Sequence, residues 1–204
     1  MKSRCQVCQR KIDTEAAPFL CHECLETLAL APSRRAYTSL FVYNSPLRTL
    51  VLNVKINADY RALRCLTHLF LKSPRTVRVA QKADVIIPAP SSFWARARGR
   101  VDLAGLLASA LAKQVARPLI APPLSLRWEF RKRSKIGFRE KREFNYKERD
   151  PNKKNALVVD DIVTTGHTFL KTSDALTQFN TSLLTIGDAY SLRAISLEGS
   201  QCVQ

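Results

Sequence analysis

Apolar residues recur at helical spacing at Leu47, Leu50, Val51 and Val54. Ser45-Pro46 just before them supplies an N-cap with proline at the first helical position. A second helix is expected from Asp59 to Leu71, a third from Val101 to Val115 on Leu103, Leu106, Leu107 and Leu111, and a fourth from Phe169 to Phe179. Short unbroken apolar runs between them read as buried strands. These are Tyr37 to Tyr43, Ala83 to Pro90 (ADVIIPAP, broken by two prolines), Leu157 to Val163 and Ser182 to Ala189. Strands alternating with helices predict an α/β fold, a mainly parallel sheet with helices on both faces. No internal repeat is visible.

The first 32 residues do not share this pattern. They hold Cys5-x-x-Cys8 and Cys21-x-x-Cys24 with twelve residues between the pairs, while Cys65 and Cys202 stand alone. Two such knuckles put four thiolates on the corners of a tetrahedron about 2.3 Å from a zinc ion. A redox Cys-x-x-Cys needs a strand before it and a helix after it, and would not come twice. The site is closed and therefore structural, and metal binding of this kind contributes on the order of 10 kcal/mol to folding a unit with little core. His22 reads as a solvated neighbour. With 204 residues, 46% of them hydrophobic, the chain has room for one well-buried domain plus this appendage. The division predicted is 1–32 for the four-cysteine zinc module and 33–204 for the α/β domain.

Charge narrows the ligands. Lysine and arginine number 33 against 17 acids, a formal net charge of +16, which favours polyanions such as nucleic acid, phosphorylated metabolites or an anionic membrane face. No apolar stretch follows Met1-Lys2-Ser3, so no secretory signal is expected. The longest apolar window, Val101 to Ala116, is interrupted by Asp102 and Lys113 and falls short of the roughly 20 residues of a membrane span. The expected location is cytoplasmic. Arg127 to Lys154 packs twelve basic and five acidic side chains into 28 residues, interleaved with Trp128, Phe130, Phe138, Phe144 and Tyr146. Such a segment can track a phosphate backbone while bases stack on the rings, each worth roughly 1–3 kcal/mol. Its candidate contacts are Trp128, Arg131, Lys132, Arg133, Lys135, Arg139 and Arg142, with Trp94 extending the track.

In LVVDDIVTTGHTF, Leu157 to Phe169, a buried strand ends in two carboxylates and then a threonine-rich turn. Ligands of open parallel sheets bind beyond the carboxyl ends of strands. The turn from Thr164 to Thr168 (Thr164, Thr165, Gly166, His167, Thr168) offers backbone N–H groups, hydroxyls and a helix N-terminus to a phosphate dianion. Gly166 supplies the backbone freedom the turn needs. Asp160 and Asp161 stand a few residues earlier, suited to sugar hydroxyls or a magnesium-bound diol. A phosphate pocket and a diol clamp one sugar-length apart suit a ribose 5-phosphate. No P-loop and no G-x-G-x-x-G occurs.

This segment resembles the signature of the type I phosphoribosyltransferases, which bind 5-phosphoribosyl 1-pyrophosphate (PRPP). The resemblance implies that Asp160 and Asp161 contact the ribose 2- and 3-hydroxyls and that residues 164–168 hold the 5-phosphate. It also implies that a loop after an earlier strand receives the pyrophosphate. Here Ile87-Pro88-Ala89-Pro90 leads into Arg96, Arg98 and Arg100, and three arginines beside a helix start make a pyrophosphate cradle. A hood closing over the substrate would fall at residues 127–150, within a basic loop running from about 127 to 154. Together with the four cysteines, the stretches VYNSPLRTLVLNVK, IIPAP, R-G and R-x-x-N are similar to the ComF family of competence proteins, associated with DNA uptake in natural transformation. Lys55 matches a recurrent family lysine, a pyrophosphate or DNA candidate; Arg142 and Asn145 match the R-x-x-N. The family's R-G-F-N is Arg98-Gly99-Arg100-Val101 here, and a customary hood glutamine is Lys135.

What the resemblance implies is a cytoplasmic competence protein binding single-stranded DNA and PRPP, with structural Zn2+ and with Mg2+ accompanying PRPP. It also implies DNA-uptake proteins of the membrane as partners and a peripheral place at the inner membrane face. An active phosphoribosyltransferase of nucleotide salvage or biosynthesis, with an acceptor the residues do not identify, is the first alternative. A zinc-bearing nucleic-acid scaffold with a vestigial site is the second.

Overall fold

A computed structural model describes residues 4–12, 19–32, 34, 37–91, 99–122 and 150–189. Its elements are α1 (His22–Glu26), β1 (Thr38–Val42), α2 (Ser45–Asn57), α3 (Tyr60–Lys72), α4 (Pro74–Ala80), β2 (Val85–Pro88), α5 (Leu103–Gln114), β3 (Lys154–Val163), α6 (His167–Ala175) and β4 (Phe179–Asp188). The four strands pair in parallel in the order β1-β4-β3-β2, which makes the α/β class and the parallel sheet features of the fold.

The hydrophobic pattern explains why β3 is central. Ala156, Leu157, Val158 and Val159 are all fully buried, as a parallel strand covered on both faces must be. Leu157 and Val159 join one core with Leu47, Leu50, Leu66, Phe70, Leu107 and Leu111, from α2, α3 and α5. Ala156 and Val158 join a second core with Val85, Ile87, Phe169 and Leu176. The strand's two-residue period thus feeds both faces. Each fully buried leucine contributes about 1.5–3 kcal/mol.

Local signals set the helix ends. Asp59 caps α3, its Oδ1 accepting the N–H groups of Arg61 (2.8 Å) and Ala62 (3.2 Å). Asp102 caps α5 by accepting the Gly105 N–H at 3.1 Å. Asn44, not Ser45, is the N-cap residue of α2, with Pro46 in its first turn.

Topology places a crevice at one strand end. The Ile86 N–H donates to Pro118 O (2.9 Å) and the Ile120 N–H to Ile86 O (2.9 Å), so residues 118–120 run parallel to β2 on its outer side. From β2 the chain passes through α5 to this outer position, whereas β3 lies on the inner side and continues through α6 to β4. The loops leaving β2 and β3 therefore diverge, which is the switch point where open α/β sheets bind ligands.

The cysteine-bearing segment packs on the first core. Cys5, Ile12, Leu20, Cys24 and Leu28 belong to it, and the Phe19 ring lies 5.9 Å from His68 and 5.5 Å from the Arg64 guanidinium, both on α3.

Candidate functional site

Two groups of side chains merit description as sites, the four cysteines and the crevice at the ends of β2 and β3. The sulfurs of Cys5, Cys8, Cys21 and Cys24 all lie within 4.8 Å of one another, and none is in a disulfide. A tetrahedral metal with bonds of about 2.3 Å would set its sulfurs about 3.8 Å apart; Cys8 and Cys21 are 3.5 Å apart. The first knuckle is shaped by the backbone. Gln9 takes a left-handed φ of 62°, its N–H donates to Cys5 O (3.0 Å), and the Val7 N–H donates to the Cys5 Sγ (3.5 Å). Burial pushes the Cys5 thiol up, but N–H groups of Cys8, Cys21 and Val7 outweigh it and bring it to about 6. Burial and the neighbouring sulfurs push Cys24 the other way. Four thiols crowded in this way release protons when a cation arrives, so the cluster fits a structural metal ion. His22 is exposed and lies 3.3 Å from Glu26, turned to solvent rather than to the sulfurs.

In the crevice, the predicted acids lie near the carboxyl end of β3, with only Ile162 and Val163 after them in the strand. Asp160 Oδ1 accepts the Asp161 N–H (2.8 Å), and Asp161 Oδ1 accepts the Ile162 N–H (2.7 Å). Lys55, in the last turn of α2, forms an ion pair with Asp161 Oδ2. Asp102 and Ser91 approach from the loop between β2 and α5, the Ser91 hydroxyl donating to Asp102 Oδ2 at 3.1 Å. Burial pushes the Asp160 carboxyl up to about 7, reinforced by Asp161 and Asp102 and opposed by the Asp161 N–H and Lys55. Because Asp160 keeps a partly exposed surface, solvent moderates that penalty; the upward direction comes from burial first and from the Asp161 and Asp102 carboxylates after it. Tyr43, beside Lys55, Arg48 and Asp161, is raised by its own burial, with Lys55 and Arg48 working against the rise.

Four residues beyond Asp160 the chain turns into α6. Gly166 sits at the N-cap with φ 67°, a left-handed conformation natural to glycine, and it has no side chain with which to cap the helix. The first turn of any helix leaves N–H groups without intrahelical partners. Thr164 is exposed, Thr165, His167 and Thr168 are partly buried, and Gly166 is buried. Gly187 on β4 is required by close packing: a Cβ there would run into Ile162 Cδ1 and come within 2.8 Å of Leu47 Cδ2.

The structure therefore gathers Lys55, Asp160, Asp161 and the start of the 164–168 turn around one end of β3. Arg100 is exposed two residues before the Asp102 cap. Trp94, Arg96, Arg98, Trp128, Arg131, Lys132, Arg133, Lys135, Arg139, Arg142 and Asn145 lie outside the described residues. Sequence reasoning missed Asp102, although an aspartate immediately before an apolar helical repeat is a cap signal. Tyr43 carried no signal, since only the fold brings it to Lys55.

The chain matches no protein-family model and no curated protein. Among the described residues, no helix is long and apolar enough to cross a membrane.

Proposed function

We propose that this protein is a ComF-like, competence-associated factor that binds PRPP in the crevice at β3 and single-stranded DNA on its basic surface. The observation that carries the PRPP reading is the meeting of two kinds of site at one strand end. The acids Asp160 and Asp161, held by backbone N–H groups and by Lys55, stand beside a glycine-capped turn opening α6. The turn suits a 5-phosphate, and the acids suit the ribose diol. Magnesium arriving with PRPP would neutralise the pyrophosphate. Lys55 would exchange its hold on Asp161 for contact with the incoming anion, and Asp160 would ionise as cationic charge enters. Zinc is the metal proposed for the four cysteines, because a closed set of four thiolates suits it best.

The DNA part rests on the net charge of +16 and on the aromatic-basic stretch from Arg127 to Lys154. A second reading, an active phosphoribosyltransferase, is favoured by the raised Asp160, since perturbed carboxyls concentrate where chemistry occurs. In that reading Asp160 and Asp161 hold the ribose and stabilise positive charge developing at its anomeric carbon.

Pyrophosphate release from PRPP, assayed with a panel of purine and pyrimidine bases, separates the two. Release that stays at the no-acceptor background, together with oligonucleotide binding, supports the DNA-uptake reading. Acceptor-dependent release abolished by Asp161→Asn would replace it with the transferase.

A further inference from the structure

Beside the outer edge strand β1, a cavity of about 180 Å³ is lined by Pro32, Arg34, Tyr37, Thr38, Ser39, Arg75, Arg78 and Val79. None of these residues belongs to the loops that form the crevice at β3, and β4 lies between β1 and β3. Arg75 is fixed in place, its Nη1 donating to Ala31 O (2.6 Å) and Ser39 O (3.2 Å). Those bonds draw on one nitrogen of a group that carries five N–H donors. Arg34 stacks over the Tyr37 ring at 5.8 Å and reaches Asp188 at 3.5 Å, and the buried Tyr37 hydroxyl donates to the same carboxylate oxygen at 3.1 Å. Arg78 is exposed. Three arginines thus line the cavity, and among the described residues no acid does.

The geometry points to a phosphoryl-binding pocket, separate from the β3 crevice, that takes one phosphodiester of a bound nucleic-acid strand. Small-molecule sites occupy about 300–1,000 Å³, and this smaller, half-open hollow matches one phosphate group. Arginine pairs with phosphate oxygens in a two-pronged geometry, and the Arg75 clamp holds one such fork that meets no carboxylate among the described residues. The Thr38 hydroxyl, also in the lining, is of the kind that commonly meets phosphate oxygens. A bound strand would leave its bases pointing away from the cavity, so the contact carries no sequence preference. This inference rests on the nucleic-acid part of the proposed function.

The test uses the full chain, a fluorescent oligo-dT strand and anisotropy titrations over a range of NaCl concentrations. Arg78→Gln removes the exposed guanidinium without touching the Arg75 clamp, and Arg117→Gln, an exposed arginine outside the cavity, is the charge-matched control. Expected are a three- to tenfold loss of affinity for Arg78→Gln and a salt slope shallower by about 0.7, the share of one phosphate of a single strand. Arg117→Gln should stay within twofold of the native protein. Equal losses in both variants would overturn the pocket while leaving strand binding intact. No binding by the native protein would remove the nucleic-acid reading and the pocket with it. Inorganic phosphate, followed through the side-chain NMR signals of Arg75 and Arg78, separates the sources. Saturable shifts with phosphate but an unchanged strand affinity in Arg78→Gln would assign the pocket to free phosphate and refute the strand contact.

Discussion

Asp160 stands under opposing influences: burial and two neighbouring carboxylates favour its proton, while Lys55 and a backbone N–H favour its charge. The first set prevails, so its folded-state value of about 7 lies above the ordinary 3.8. The folded protein then holds a proton that the unfolded chain has released between those pH values, and stability declines as pH rises through that window. Asp160→Asn should raise Tm relative to the native protein by about 2–4 °C at pH 8, on the scale of one kcal/mol for a chain of this size. The gain should vanish near pH 4; a pH-independent gain in thermal-unfolding scans would contradict the account. The pair Asp160-Asp161 and the turn with Gly166 were legible as residues because their spacing is contiguous. The Lys55–Asp161 ion pair was not, because it joins residues more than a hundred positions apart through the packing of α2. At Gly187 an added Cβ forces the ends of Ile162 and Leu47 to shift, and Gly187→Ala should cost about 1–3 kcal/mol by overpacking, measurable by urea denaturation.

Among the elements, the long apolar periods and the short apolar strand runs were readable, including β1 and β2, and the one-turn and two-turn helices were not. The helices expected at 59–71 and 101–115 are α3 and α5, shifted by a residue or two at their ends because Asp59 and Asp102 act as caps rather than first helical residues. α4, only seven residues, escaped notice: Thr76, Val77 and Val79 are β-branched, and a helix so short owes its existence to packing rather than propensity. β3 begins at Lys154, earlier than the expected Leu157, because its first residues are polar and solvent-facing while still pairing with β4. α6 starts at His167, directly after the glycine, two residues before the expected Phe169. The cysteine segment stands apart by composition, yet its apolar residues share a core with α3. Cys21→Ser should therefore lose bound metal and, in hydrogen exchange, also reduce amide protection in α3. Metal loss with α3 protection unchanged would show that the segment folds without bearing on its neighbour.

For the molecule as a whole, the positive charge and the crevice are separate facts that the proposed function joins. The α/β class and the parallel sheet were legible from the alternation of strands and helices, whereas the strand order β1-β4-β3-β2 was not. The crevice needed the placement of residues 118–120 outside β2, which no local pattern announces. The basic stretch around Arg131 is tested through salt. Charge reversal at Arg131, Lys132 and Arg133 should weaken oligonucleotide binding several-fold and flatten its salt slope; an unchanged slope would move the DNA track elsewhere. The central claim is the phosphoribosyl site, and calorimetric titration of magnesium-PRPP into the metal-loaded protein tests it most directly, with the Asp160→Asn/Asp161→Asn variant alongside. The account predicts saturable binding by the native protein and its loss in a variant that remains folded. Equal affinity in both proteins, or no heat at millimolar ligand, would contradict it.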